Sequence, residues 1–82
     1  MYDLMSYVVR GKVRLSILKI LDKPMTPTQI AGLLENHRPT ISRSLLDMEK
    51  KGLVKCLTPK EKTGRLYVRT KKGEWVLKKI TR

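Results

Sequence analysis

One cysteine, Cys56, is all that this chain of 82 residues contains. No internal disulfide can form, and a reducing cytoplasm is the compartment to expect. One histidine and seven acidic residues come with no glycine-rich phosphate loop and no nucleophile–base pattern. Nothing there assembles into a catalytic group, so the reading is not an enzyme, and no cofactor is expected. No uncharged apolar run approaches the roughly 20 residues that span a bilayer. The N-terminus lacks a basic region followed by an apolar core, so it does not read as a secretory signal. Aromatics are scarce: Trp75 has no second aromatic on its element, so it reads as helix packing rather than a platform for stacked bases.

What the chain has in excess is positive charge. Nineteen Lys and Arg against seven Asp and Glu give a net charge of +12. The surplus is uneven: residues 1–37 are net +2 and residues 38–82 net +10. Such self-repulsion is most easily tolerated beside a polyanion, which points to nucleic acid. The charge is spread over several elements, which argues against a membrane-surface helix. Eighty-two residues make a single domain, and a hydrophobic content of 40% suffices for a small core.

Hydrophobic spacing divides the chain. Leu4, Met5, Val8 and Val9 recur at helical spacing over residues 2–10, then Gly11 interrupts. A stronger helix is predicted from Lys12 to Asp22, closed by Pro24; the two are either one helix bent near Gly11 or two. Thr26, Pro27 and Gln29 form a complete start signal, a capping box with proline at the first helical position. Met25 and Ile30 stand as its hydrophobic staple, and Ile30, Ala31, Leu33 and Leu34 supply the buried face. After a turn at Glu35, Asn36 and His37 a third helix begins near His37 or Arg38, with Arg38 a candidate cap because Pro39 disfavours helical geometry there. Ile41, Leu45 and Met48 make its buried stripe, and Gly52 signals its end. The period then changes. Residues 54–58 and 66–70 read as strands joined by a polar, basic tip, and Thr70 caps a last helix carrying Trp75, Val76, Leu77 and Ile80.

The order helix, helix, turn, helix, β-hairpin, helix is that of a winged helix. Thr26 to Leu34 followed by Arg38-Pro39-Thr40-Ile41-Ser42-Arg43 resembles the helix-turn-helix of MarR-like and ArsR-like regulators. Leu45, Met48, Glu49, Lys51, Gly52, Leu53 and Val54 match the usual close of that recognition helix. Leu57-Thr58-Pro59, Gly64-Arg65-Leu66-Tyr67 and Thr70-Lys71-Lys72-Gly73 are similar to the wing of small archaeal winged-helix regulators. The resemblance covers roughly residues 12–80. Three residues depart from it: Glu35 where glycine is frequent, Asn36 where a buried aliphatic is common, and Leu46 on the outward side of the third helix, which suggests contact with another protein element.

The resemblance implies an α+β, mainly helical fold: one winged helix-turn-helix domain over residues 1–82, with the helix-turn-helix at 26–52, the wing at 54–70 and a C-terminal helix at 71–81. It implies a regulator that reads double-stranded DNA with the third helix in the major groove. Arg43 offers two donors to a guanine edge, Thr40 and Ser42 bond bases or phosphates, and Pro39 lies on the same outward face. Arg38 stands at the positive helix end, within reach of phosphate. Lys60, Lys62 and Arg65 would follow the backbone or enter the minor groove, with Lys55, Arg69, Lys71 and Lys72 widening the footprint. A homodimer is expected, paired through the N-terminal segment, the last helix (Trp75, Leu77), or both; Leu4, Met5, Val8 and Val9 are either core or a dimer seam, with the seam preferred. The paired sensor cysteines of metal-responsive ArsR-like proteins are absent, so no metal is expected. Two alternatives stand beside this reading: a non-specific architectural DNA-binding protein, and a winged helix used for protein contact in the transcription machinery.

Overall fold

Gly11 separates two helices instead of bending one. In the computed structural model, which describes residues 2–81, α1 (Tyr2–Arg10) stops at Gly11, whose extended backbone (φ −110°, ψ 107°) serves as the N-cap of α2 (Lys12–Ile20). The second helix ends two residues earlier than its hydrophobic pattern suggests, because Leu21 leaves helical geometry as it drops into the core. Then follow α3 (Pro27–Leu34), α4 (Arg38–Lys50), β1 (Val54–Cys56), β2 (Tyr67–Arg69) and α5 (Lys71–Ile80). This is the mainly helical winged-helix architecture.

The start of α3 is built as its sequence requires. Thr26 Oγ1 accepts from Gln29 N (3.1 Å) while Gln29 Oε1 accepts from Thr26 N (2.9 Å), completing the capping box with Pro27 in the first turn. At the other end Glu35 adopts the left-handed conformation (φ 51°) that glycine takes at little cost, and Asn36 N donates back to Ala31 O (3.0 Å). Asn36 is half-buried, and its Oδ1 accepts from His37 N (2.8 Å), so the turn is closed by a local polar bond where an aliphatic is common. Leu33 is a correction: it is 64% exposed. It falls about 100° around the wheel from the centre of Ile30, Ala31 and Leu34, outside the arc that faces α4.

One core joins every element. Ile17, Leu18 and Leu21 meet Ile30, Ile41, Leu45, Met48, Leu53, Val54, Tyr67 and Val76. Val8 of α1 also lies at zero exposure in this cluster. Its expected place in a dimer seam is therefore withdrawn, because α1 packs against α2 and α5 and turns Val8 inward. Leu4 and Met5 are half-buried against the same core, whereas Val9 is 56% exposed. Beside them Tyr7 lies under the Arg14 guanidinium, 4.0 Å from the ring centroid, with Lys51 Nζ at 5.3 Å. Tyr7 Oη is buried without a hydrogen-bond partner. Burial raises its phenol pKa; Arg14 opposes the shift and Asp47 adds to it.

The strands are shorter than their composition suggests. Val54 pairs with Arg69, Lys55 with Val68 and Cys56 with Tyr67, antiparallel. One further bond, Leu57 N to Leu66 O (2.7 Å), follows before Thr58 Oγ1 captures Leu66 N (3.0 Å) and ends the ladder. The free edge of Tyr67 is taken by Met25: each residue's N–H donates to the other's carbonyl, at 3.0 and 2.9 Å. Behind the hairpin, Arg69 Nη1 donates to Leu18 O, and Thr70 Oγ1 donates to Gly52 O (2.6 Å) while accepting from Gly73 N (2.9 Å). Arg69, expected to widen a charged footprint, is half-buried and committed to this internal tie.

Of the five glycines, Gly73 is the one with backbone packed most closely over it. A Cβ there would stand 2.1 Å from Leu53 O, a rigid backbone atom. Gly73→Ala is expected to destabilise the fold by about 3 kcal/mol, read as a lower urea midpoint, because α5 must move away from Leu53. Tyr7→Phe is expected to raise stability by about 1 kcal/mol in the same measurement, since it removes a buried hydroxyl that has no partner.

Candidate nucleic-acid interface

The chain presents the N-terminal end of α4 without a side-chain cap. His37, not Arg38, is the N-cap (φ −71°, ψ 134°), because the first helical bond already starts at His37 O, which accepts from Ile41 N (3.1 Å). Arg38 is thus the first helical residue and Pro39 the second. His37 makes no capping hydrogen bond, and Pro39 has no N–H to satisfy. The first-turn donors of Arg38 and Thr40 have no intrahelical acceptor and add to the positive end of the helix dipole.

The helix is sharply two-sided. Ile41, Leu45 and Met48 are completely buried. Pro39, Arg43, Leu46 and Lys50 follow one another at i, i+4, i+7 and i+11 on the opposite, exposed side. Ser42 is half-buried on the flank that faces the wing, whereas Thr40 is exposed on the opposite flank. The latter flank, with Asp47 and Lys51, looks toward Tyr7 of α1. The arrangement follows from the 3.6-residue period: filling one arc with aliphatics leaves a polar and cationic arc facing solvent.

The wing is held at its base and open at its tip. Glu61 N donates to Thr58 O (3.1 Å), and Gly64 takes a positive φ of 65° to turn the chain back. Lys60 and Lys62 are exposed on this loop. Arg65 is half-buried and folded inward: its Nε donates to Cys56 Sγ (3.4 Å), and its guanidinium lies 5.8 Å from the centroid of the Tyr67 ring. The bond to Cys56, with the nearby Tyr67 phenol, holds Arg65 above its ordinary pKa, so it stays charged. Burial raises the Tyr67 phenol, against the opposing pull of Arg65.

Between these elements lies a cleft of about 300 Å³. Arg38, Ser42 and Leu46 of α4 form one wall, Lys62, Thr63, Gly64 and Arg65 of the wing the other, and Pro27, Thr28 and Tyr67 close it. The fold thus brings together four of the residues singled out from sequence, Arg38, Ser42, Lys62 and Arg65. It leaves Pro39, Thr40 and Arg43 outside the cleft on the exposed side of α4, and Lys60 exposed on the wing loop. Pro27 and Thr28 were missed as site residues. Their signal was present in the capping box, which marks a helix N-terminus, but nothing local says that this end faces the wing. Of the residues named for pairing, Leu4, Met5 and Leu77 are half-buried against the core, and Trp75 is 39% exposed with Lys79 Nζ at 5.3 Å from its ring. Among the described residues no group of three or more His, Cys, Asp or Glu is placed to hold a metal ion, and no helix is long and apolar enough to cross a membrane.

Comparison with known proteins places this geometry. No curated protein matches the chain. Among solved structures, a MarR family transcription regulator superposes with a TM-score of 0.77 at 24% identity, over 98% of this chain and 60% of its own. At that identity the likeness concerns the fold, and this chain spans about three-fifths of that protein's length. The family described as "Bacterial regulatory protein, arsR family" matches residues 11–55, from the start of α2 into β1, including α3, the turn and α4. The chain belongs to the ArsR family of bacterial regulatory proteins and has the winged helix-turn-helix fold.

Proposed function

We propose that the protein is a DNA-binding transcriptional regulator in which α4 enters the major groove and the wing holds the flanking backbone or minor groove. The observation that carries this reading is the cleft. Arg38 at the bare helix end and Lys62 and Arg65 of the wing, far apart in sequence, line one concave, cationic surface. A phosphate-bearing strand fits such a surface electrostatically, and α4's exposed stripe stands next to it.

Each residue then has a distinct duty. Arg43, at the centre of the exposed stripe, offers a guanidinium fork to guanine O6 and N7. Thr40 and Ser42 bond base edges or phosphate, and Pro39 sits against the groove wall. Arg38 and the unclaimed N–H groups of the first turn hold one phosphate, and Lys60, Lys62 and Arg65 hold the backbone on the wing side. Arg65 is pre-positioned by Cys56, whereas Lys60 and Lys62 are free to settle on the ligand. The whole chain acts as one domain and works as a homodimer on a pseudo-palindromic site. The half-buried Leu4, Met5 and Leu77 and the exposed Trp75 offer the surface for pairing through α1 and α5.

Binding to a site selected from random duplex tests these roles. Arg43→Ala is expected to lower affinity for the selected site by about 1–3 kcal/mol while leaving random-duplex binding nearly unchanged. Lys62→Ala should weaken both alike. Six or so phosphate contacts per protomer predict a log–log salt slope on the order of −5. Equal losses on both duplexes from both variants sink the division of labour, and a pool that yields no enriched sequence points to an architectural DNA-binding protein.

A further inference from the structure

Leu46 is 46% exposed, and the core does not use it: Ile41, Leu45 and Met48 fill α4's buried side. It stands in the cleft among Arg38, Ser42, Lys62 and Arg65. The other large exposed apolar side chains, Val9, Leu33, Leu57 and Trp75, do not line this cleft. A protein-docking surface needs a contiguous apolar patch. One leucine ringed by cations does not make one, and the charge around it selects a polyanion.

We propose that Leu46 is a specificity-determining residue that reads the C5 methyl group of a thymine in the major groove. The inference rests on the DNA-binding reading above. The edges of the bases in that groove carry donors and acceptors and one apolar group, the thymine methyl, which is the complement an exposed leucine can use. Position narrows the site further. Leu46 lies three residues after Arg43 on the same exposed stripe, about 4.5 Å further along the helix axis. Base pairs repeat about every 3.4 Å. The thymine is therefore within two base steps of the guanine that Arg43 contacts. The exposed α4 stripe then reads a guanine and a methyl side by side, with Lys50 beyond them toward the backbone.

The test replaces thymine by uracil, which differs only by the methyl group, one position at a time in a duplex selected from a random pool. Affinity is measured by fluorescence anisotropy at fixed salt. One position per half-site is expected to weaken binding about three- to fivefold, the effect of removing one buried methyl. It should lie within two base steps of the guanine whose preference is lost in Arg43→Ala. Leu46→Ala should bind the thymine and uracil duplexes equally, with an unchanged melting temperature. Indifference of the native protein to uracil at every position overturns the proposal without relying on any variant, and so does a thymine preference that persists in Leu46→Ala. A pool that yields no preferred sequence overturns the DNA-reading role itself, a result distinct from a selected site that ignores the methyl.

Discussion

Two backbone hydrogen bonds between Met25 and Tyr67 decide where the wing stands. Tyr67 is paired with Cys56 on one edge and Met25 on the other, and its side chain is almost wholly buried. Met25 is the residue before the N-cap of α3. The same pair therefore anchors the start of the helix-turn-helix and the returning strand of the hairpin. Without it, the wing would be a two-stranded ribbon of three residues per strand, too short to hold a direction by itself. With it, the wing faces Arg38 and Ser42 across the cleft, and every charged contact proposed for the site inherits that placement.

A second set of ties fixes the far end of α4. After Lys51 the chain turns at Gly52 (φ 79°), Leu53 N donates to Met48 O (2.9 Å), and Leu53 O accepts from Thr70 N (3.1 Å). Thr70 then caps α5, and Gly73 lets that helix lie directly on Leu53 O. The exposed stripe of α4 is thus carried on a helix held at its C-terminal end by α5 and by the core along its length, while its N-terminal end is left bare. Rigid presentation lowers the ordering cost when a ligand is met.

Charge is arranged to repel unless a partner arrives. Among the described residues a single ion pair is formed, Lys78 with Glu74 at 3.9 Å on the exposed side of α5. Such a pair contributes little. The remaining cations of residues 38–81 have no carboxylate partner within the fold, and only Lys51, Arg65, Arg69 and Lys79 partly engage rings, a thiol or a carbonyl. A surface like this favours fast, salt-sensitive association with a polyanion.

The sequence by itself determined the elements: the capping box at Thr26, the buried stripe Ile41–Leu45–Met48, the Gly52 stop and the hairpin composition are local signals, and each acts within a few residues. Position along a helix wheel was equally legible for Arg43 and Pro39, because the period settles which side is free. What only the tertiary structure decided depends on contacts between distant segments. Val8 turned inward and Leu33 outward because neighbouring helices, not periodicity, choose which part of an apolar face is covered. Arg69 became a tie to Leu18 O because the hairpin lies over the end of α2. Arg65 folded onto Cys56 because the hairpin register sets Cys56 opposite Tyr67, and Pro27 and Thr28 joined the cleft because Met25 pairs with Tyr67 across 42 residues of chain. No propensity or spacing encodes that pairing; it exists only once the core has brought the two backbones together.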